Sequence, residues 1–250
     1  MKKARMGSFC YRTDRGLVRM TNEDQALVLI NNSGNVFLVV ADGIGGQAQG
    51  DLASKIAVDT LAEEFRNKSS FWCSLDARNW LLRAIRKANK AVFNEAQSNK
   101  QYKDMGTTLV VALVHRHRLI VANIGDSRAY LCDFYHQMRR LTEDQTFVDY
   151  LVKVGQLDPK AKDIDPRRHV LVNALGVSLA ASIDIKSYRY RGETILLCSD
   201  GLYNNIIEPH LADIISAHEN IETRAEKMIE AANINGGSDN IAVALWEDEV

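Results

Sequence analysis

The chain has 250 residues, 46% of them apolar and 25% charged, with 31 Lys and Arg against 32 Asp and Glu. That balance offers no excess charge for holding nucleic acid or a membrane surface as the main partner. No apolar run approaches the roughly 20 residues of a membrane span, and the length suits one substantial core, so a single domain is expected. The basic start, Met1-Lys2-Lys3-Ala4-Arg5, runs into no apolar signal core, which points to the cytoplasm. Cys10, Cys73, Cys132 and Cys198 are scattered without C-x-x-C spacing, so reduced, structural thiols are expected. Cys198 lies in an apolar run with no histidine nearby in sequence, a poor setting for a thiolate nucleophile.

In chain order, residues 8–14 read as a first strand. Residues 16–24 form a polar connector that carries Arg19, Asn22, Glu23 and Asp24. The apolar residues 26–30, the turn signal Asn31-Asn32-Ser33-Gly34-Asn35 and the apolar residues 36–41 read as a hairpin. Its second arm is unbroken Val-Phe-Leu-Val-Val-Ala, the pattern of a strand buried on both faces. Asp42 ends that run and Gly43-Ile44-Gly45-Gly46 follows. A carboxylate placed there is costly to bury unless something pairs with it, and the glycines let backbone approach an ion or ligand closely.

Helical spacing returns over residues 50–67, with Leu52, Ala53, Ile56, Ala57, Leu61 and Phe65 on one face. Residues 74–99 read as a longer helix, with Ser74 or Asp76 as its cap and Trp80, Leu81, Ile85, Ala88, Val92 and Phe93 on its apolar side. Residues 106–114, 118–124 and 127–132 are then β-rich. His115-Arg116-His117 resembles a metal pair but sits where a hairpin turns, so a solvated turn is expected. Asp126 lies in Gly125-Asp126-Ser127-Arg128, a Gly-Asp step after an apolar run.

Residues 141–178 read as an excursion from the sheet, with a short helix near 148–154. Residues 184–190 and 194–199 are expected to pair as a hairpin about Arg191-Gly192. Asp200-Gly201 ends that second strand. Late helices are expected over residues 209–217 and 222–232. Gly236-Gly237-Ser238-Asp239-Asn240 then opens a last apolar strand. The order lacks βαβα alternation, so the predicted fold class is α+β, a two-sheet antiparallel core with helices outside. Asp42, Asp200 and Asp239 thus stand at strand ends in glycine-rich turns. Hard cations such as Mg²⁺ and Mn²⁺ take oxygen ligands of this kind, so a shared metal site at the strand ends is expected.

Taken together, these motifs resemble the metal-dependent protein phosphatases of the type 2C class in their compact bacterial form. The matching stretches are Arg19-Met20-Thr21-Asn22-Glu23-Asp24, Asp42-Gly43-Ile44-Gly45-Gly46, Gly106-Thr107-Thr108, Asn123-Ile124-Gly125-Asp126-Ser127-Arg128, Ala174-Leu175-Gly176, Ser199-Asp200-Gly201-Leu202 and Ser238-Asp239-Asn240. The resemblance implies a β-sandwich of two antiparallel sheets flanked by helix pairs, with a dinuclear site at one end. It implies that Asp42 bridges two Mn²⁺ or Mg²⁺ ions, that the Gly43 carbonyl binds one and that Asp200 and Asp239 bind the other. Glu23 and Asp24 would hold water about the ions or orient the ligands. Asp126, with Asp200, would supply a weaker third-metal site, and Arg19 would clamp the substrate phosphate. It further implies phosphorylated proteins as substrates, an opposing serine/threonine kinase and a monomer.

The chemistry calls for these residue types. A phosphomonoester dianion repels nucleophiles; two cations about 3.5–4 Å apart neutralise it and lower the pKa of bound water from 15.7 toward about 7. A guanidinium meets phosphate oxygens as a bidentate fork, which lysine cannot do. Plainer readings stand beside these. Asp42, Asp126, Asp200 and Asp239 could be turn formers, Arg19 a surface ion-pair residue, and Glu23 and Asp24 caps or solvent-facing groups.

The chain departs from the usual pattern of bacterial relatives at Ile44, commonly Met, at Gln47 and Gln145, commonly His, and at Asn173, commonly Arg or similar. Glutamine cannot donate a proton as imidazolium can, so a slower turnover or an altered pH profile is expected if those histidines serve the reaction. Residues 145–178 match the variable flap beside the cleft and are expected to form a mobile, substrate-facing loop. Two rivals stay open: a catalytically weak regulator that binds phosphoproteins, and a hydrolase of small phosphate esters.

Overall fold

Side-chain alternation along one strand organises the core of the computed structural model, which describes residues 6–45 and 49–249. In β3 (Val36–Ile44), Phe37, Val39 and Ala41 face one way and Val36, Leu38 and Val40 the other, and all are fully buried. The first set packs under helices and the second against another sheet, so the strand is covered on both faces as its sequence predicts.

The sheet holding β3 runs β2-β3-β5-β6-β9. Its other members are β2 (Asp24–Ile30), β5 (Leu109–His115), β6 (Arg118–Ile124) and β9 (Asp184–Arg189), with the two-residue β4 (Gly106–Thr107) on the end of β3. The second sheet runs β1-β11-β10-β7-β8, from β1 (Gly7–Asp14), β11 (Ile241–Asp248), β10 (Thr194–Cys198), β7 (Arg128–Cys132) and β8 (Met138–Arg140). Every pairing described is antiparallel. α1 (Gly50–Arg66) and α2 (Ser74–Ser98) cover the first sheet; α4 (Asp200–Tyr203), α5 (Glu208–Ile215) and α6 (Ile221–Ile234) cover the second. The result is the expected α+β sandwich in four layers.

Of the predicted face of α1, Ala53, Ala57, Leu61 and Phe65 are buried, while Leu52 and Ile56 form partly exposed shoulders. Phe65 stacks on Phe37 at 4.8 Å, and Trp80 of α2 meets Phe37 edge-on at 5.7 Å. Such buried aromatics contribute roughly 3–5 kcal/mol each, judged by truncation. The expected cap of α2 is corrected: Cys73 is its N-cap without a side-chain bond, and Asp76 instead accepts from the Trp72 backbone N–H at 3.1 Å.

Two other expectations give way. β9 and β10 do not pair with each other. β9 pairs with β6 and β10 with β7 and β11, so the Arg191-Gly192 turn crosses between sheets. The buried Tyr190, whose N–H donates to the His117 carbonyl at 3.0 Å, anchors that crossing. The turn after β5 is solvated at Arg116 and His117, but His115 is 4% exposed, set 2.7 Å from Asn35 Oδ1 and edge-on to Phe71. Residues 145–178 do leave the sheets. They hold α3 (Phe147–Lys153) and a 3-10 turn (Pro159–Ile164), and return through bridges Thr146↔Leu171 and Thr107↔Leu175.

Candidate active site

The space between the two sheets opens at one end, where the rows facing it finish in polar residues. Asp24 and Asp42 are cross-strand partners on β2 and β3, continuing the rows of Val28 and Val40. Like charges directly opposite are destabilising, so the pair is there at a cost. Backbone contacts fix Asp42. Its N–H donates to Thr108 Oγ1 at 3.0 Å, and its carbonyl accepts from the Thr107 hydroxyl at 2.9 Å and the Thr108 N–H at 2.8 Å. From the other sheet, the Ser199 hydroxyl donates to Asp24 Oδ2 at 2.6 Å and accepts from the Ala242 N–H at 2.8 Å. Asp24 Oδ1 is buried with no hydrogen-bond partner.

Asp200 follows β10 as the first residue of α4, and its Oδ2 accepts from Asn204 Nδ2 at 3.1 Å. Asp239 stands two residues before the start of β11, and its Oδ2 accepts from an Arg19 Nη at 2.8 Å. Asn240 ties that turn to the connector that carries Arg19. Its amide donates to the Arg15 and Thr21 carbonyls, both at 2.8 Å, and its Oδ1 accepts from the Glu23 N–H at 2.8 Å. Glu23 stands over the first turn of α1, where a Cβ on Gly50 would lie 2.3 Å from its Oε2. Asp126 is 7% exposed beside Tyr203, whose hydroxyl donates to the Asp126 carbonyl and whose ring stacks on the Arg128 guanidinium at 3.4 Å. Asp144 accepts two bonds from Arg128, at 2.7 and 3.1 Å.

Arg19, Glu23, Asp42, Gly43, Asp126, Asp200 and Asp239 therefore line one cleft of about 960 Å³. Asp24 lies behind its wall rather than on it. The cleft also receives Arg128 from β7 and Arg168, His169 and Leu171 from the 145–178 excursion. Sequence reading missed His169, which places Nδ1 3.9 Å from Asp200 Oδ2. Its only signal was its place at the end of the charged stretch 160–168. Burial, then Arg168, lowers its pKa against the pull of Asp239. Gln145 is not on the cleft wall. Its Oε1 accepts from the Gly125 N–H at 3.0 Å and from Asn173 Nδ2 at 2.6 Å, so the two departures at 145 and 173 form one structural clip. Gly46 and Gln47 lie outside the described residues.

Electrostatics tests whether divalent cations fit. Burial, then Asp200 and Asp239, raises Asp24 to about 8 against the pull of Ser199. Burial, then Asp200 and Asp144, raises Asp126 to about 8, and burial, then Asp239, raises Asp200 to about 6. Asp42 goes well above the carboxylate range through burial and then Asp24, Asp200, Asp126 and Asp239. Among the described residues no group of three His, Cys, Asp or Glu is already set as a ligand cage. Asp239 is turned to Arg19 and Asp24 to Ser199. Five carboxylates, Glu23, Asp42, Asp126, Asp200 and Asp239, nonetheless line the cleft against three guanidinium groups, Arg19, Arg128 and Arg168, and that excess of crowded oxygen donors suits Mn²⁺ or Mg²⁺.

The sign of the linkage follows. Carboxylates raised from about 3.9 favour the folded state fully below pH 4, and that contribution is lost as pH rises through 6 to 8. Metal-free protein is expected to melt lower at pH 8 than at pH 5.5. Mn²⁺ at about 100 Kd is expected to add about 2.7 kcal/mol, or roughly 5–10 °C, and a fixed Mn²⁺ concentration is expected to add more at pH 8 than at pH 5.5. A melting temperature indifferent to both pH and Mn²⁺ contradicts this.

Four layers with an oxygen-donor cleft at one end of the sandwich define a class of fold, and comparison with known proteins places the chain within it. The family model described as Protein phosphatase 2C matches residues 18–233. The chain belongs to the protein phosphatase 2C family. It is 36% identical to the serine/threonine phosphatase stp of Listeria monocytogenes over 241 residues, 96% of this chain and 95% of that one. It is 32% identical to the protein phosphatase PhpP of Streptococcus pneumoniae over 236 residues, 93% and 94% of the two chains. The crystal structure of the serine/threonine phosphatase Stp1 from Staphylococcus aureus matches with a TM-score of 0.91 at 32% identity, covering 100% of this chain and 98% of that one.

Proposed function

We propose that this protein hydrolyses phosphoserine and phosphothreonine in other proteins, in a reaction dependent on Mn²⁺ or Mg²⁺. The observation that carries the reading is the convergence of Asp42, Asp200, Asp239 and Asp126 beside Arg19 in one open cleft. Relatives similar over 93–96% of the chain are named as a serine/threonine phosphatase and a protein phosphatase.

In this reading Asp42 and the Gly43 carbonyl would hold one ion, Asp42 with Asp200 and Asp239 a second, and Asp126 with Asp200 a weaker third. When bound, the ions would supply positive charge for the phosphate and lower the pKa of the attacking water. Arg19 presents its guanidinium to the phosphate oxygens, held in place by Asp239. Asp24, packed against Ser199, orients the ligands from behind, and Glu23 orders water at the rim. Residues 145–178 form a movable wall of the cleft, bringing Arg168 and His169 toward the substrate. The same reading makes the protein a cytoplasmic monomer opposed by a serine/threonine kinase. No helix among the described residues is long and apolar enough to cross a membrane.

The test compares kcat/KM for phosphothreonine peptides, phosphotyrosine peptides and small phosphate metabolites in Mn²⁺. Preference for the phosphothreonine peptides is expected. Preference for metabolites identifies a small-ester hydrolase, and binding without turnover identifies a regulator. Arg19→Lys keeps the charge but loses the fork, so a KM for phosphopeptide raised about tenfold is expected, with a smaller change in kcat. An unchanged KM removes Arg19 from phosphate binding.

A further inference from the structure

The connector that carries Arg19 exposes more apolar surface than a loop needs. Leu17 is 67% exposed, Val18 65% and Met20 85%, three aliphatic side chains within four positions, with only Arg19 between them. Single exposed aliphatics are ordinary on a protein surface, whereas three clustered about one arginine form an apolar patch of the kind that marks binding surfaces.

The backbone beneath them is fixed. The Leu17 and Val18 N–H groups donate to the Gly237 carbonyl at 2.8 and 3.3 Å. Asn240 clamps the connector at Arg15 and Thr21, on either side of the run. Apolar side chains are thus presented to solvent on a prearranged frame, which lowers the cost of binding against them. Arg19 lines the cleft, and the exposed Val18 and Met20 are its immediate neighbours in the chain. The excursion adds Leu171 to the lining of the same cleft, and Val170, next to it in the chain, is 51% exposed.

We propose that Val18 and Met20 form a docking ledge for an apolar side chain of the phosphoprotein substrate, one to three residues from the phosphorylated one. Continuity with the cleft selects this occupant. A phosphate held at Arg19 fixes an extended substrate chain, and at about 3.3 Å per residue its neighbours pass over the rim beside Arg19. An aliphatic or aromatic side chain there buries apolar surface on both partners, and a polar one gains nothing from it. The inference rests on the phosphatase reading and adds selection of substrates by the residues beside the phosphate.

The test uses full-length protein in Mn²⁺ and two phosphothreonine peptides that differ only in carrying Leu or Ser at the positions flanking the phosphate. Wild type is expected to favour the Leu peptide about tenfold in kcat/KM. In Val18→Ser and in Met20→Ser that ratio is expected to fall toward one, and Met20→Leu is expected to keep it. Both sites are exposed, so each variant is expected to fold. A wild-type ratio near one, or a ratio unchanged in both serine variants, overturns the ledge. Turnover of p-nitrophenyl phosphate by wild type separates the two claims: its presence with a flat ratio sinks the ledge alone, and its absence together with no peptide turnover sinks the phosphatase reading.

Discussion

Asp42→Asn is expected to cut phosphate release about a thousandfold while leaving the metal-free protein more stable than wild type. Both effects come from one charge. Burial raises the pKa of Asp42 first, and then Asp24, which it faces across β2 and β3, with Asp200, Asp126 and Asp239. An amide of the same shape keeps the side-chain volume and removes that repulsion. It also removes the charge expected to hold both ions, and a loss of about 4 kcal/mol in transition-state stabilisation corresponds to three orders of magnitude in rate. Thermal melting in chelator and turnover in Mn²⁺ on the same preparation check the pair. An inactive variant that also melts lower in chelator would mean that the mutation harmed the fold, and the charge argument would fail.

Gly201→Ala is expected to have the largest effect on stability at the site. A Cβ there would lie 1.9 Å from the Asn240 carbonyl oxygen, a backbone atom that cannot swing away. Gly201 is the second residue of α4, just past the end of β10, and Asn240 is the residue before β11; β10 and β11 are paired. Relief of the clash has to move those two strand ends apart, and with them the two carboxylates. A loss of about 3 kcal/mol or more is expected, near 6–12 °C in melting temperature, with the stabilisation by Mn²⁺ largely gone. The van't Hoff melt with and without Mn²⁺ measures both, and a variant within 1 °C of wild type contradicts the close approach.

Local chemistry carried most of the elements. The unbroken run from Val36 to Ala41 read as doubly buried because both faces of β3 are covered, and the spacings of α1 and α2 placed those helices within a residue or two of where they lie. Asp42 and Asp200 are visible as strand-end carboxylates because an apolar run ends in Asp-Gly at each, and Asp239 because a glycine-rich turn carries it into the last apolar run. What stayed hidden depends on distant partners. Arg191-Gly192 looks alike whether a turn joins neighbours or crosses sheets; the partner of β9 is β6, some 60 residues earlier, and no local pattern names it. His115 read as solvated because its neighbours are, yet Phe71 and Asn35 close over it. Asp24 gave no sign that Ser199 would draw it behind the cleft wall, and Gln145 gave none that Gly125 and Asn173 would claim its amide. His169 reaches the cleft only because the excursion folds back through the Thr146↔Leu171 bridge.

The most direct measurement is phosphate release from a phosphothreonine peptide by wild type and by Asp239→Asn, each in Mn²⁺ and in excess chelator. Wild type is expected to be active in Mn²⁺ and silent in chelator, and Asp239→Asn to be nearly silent in both although Arg19 remains. Release by wild type that persists in chelator, or no release in Mn²⁺ across several peptides and pH values, contradicts a carboxylate-held metal centre as the seat of the reaction.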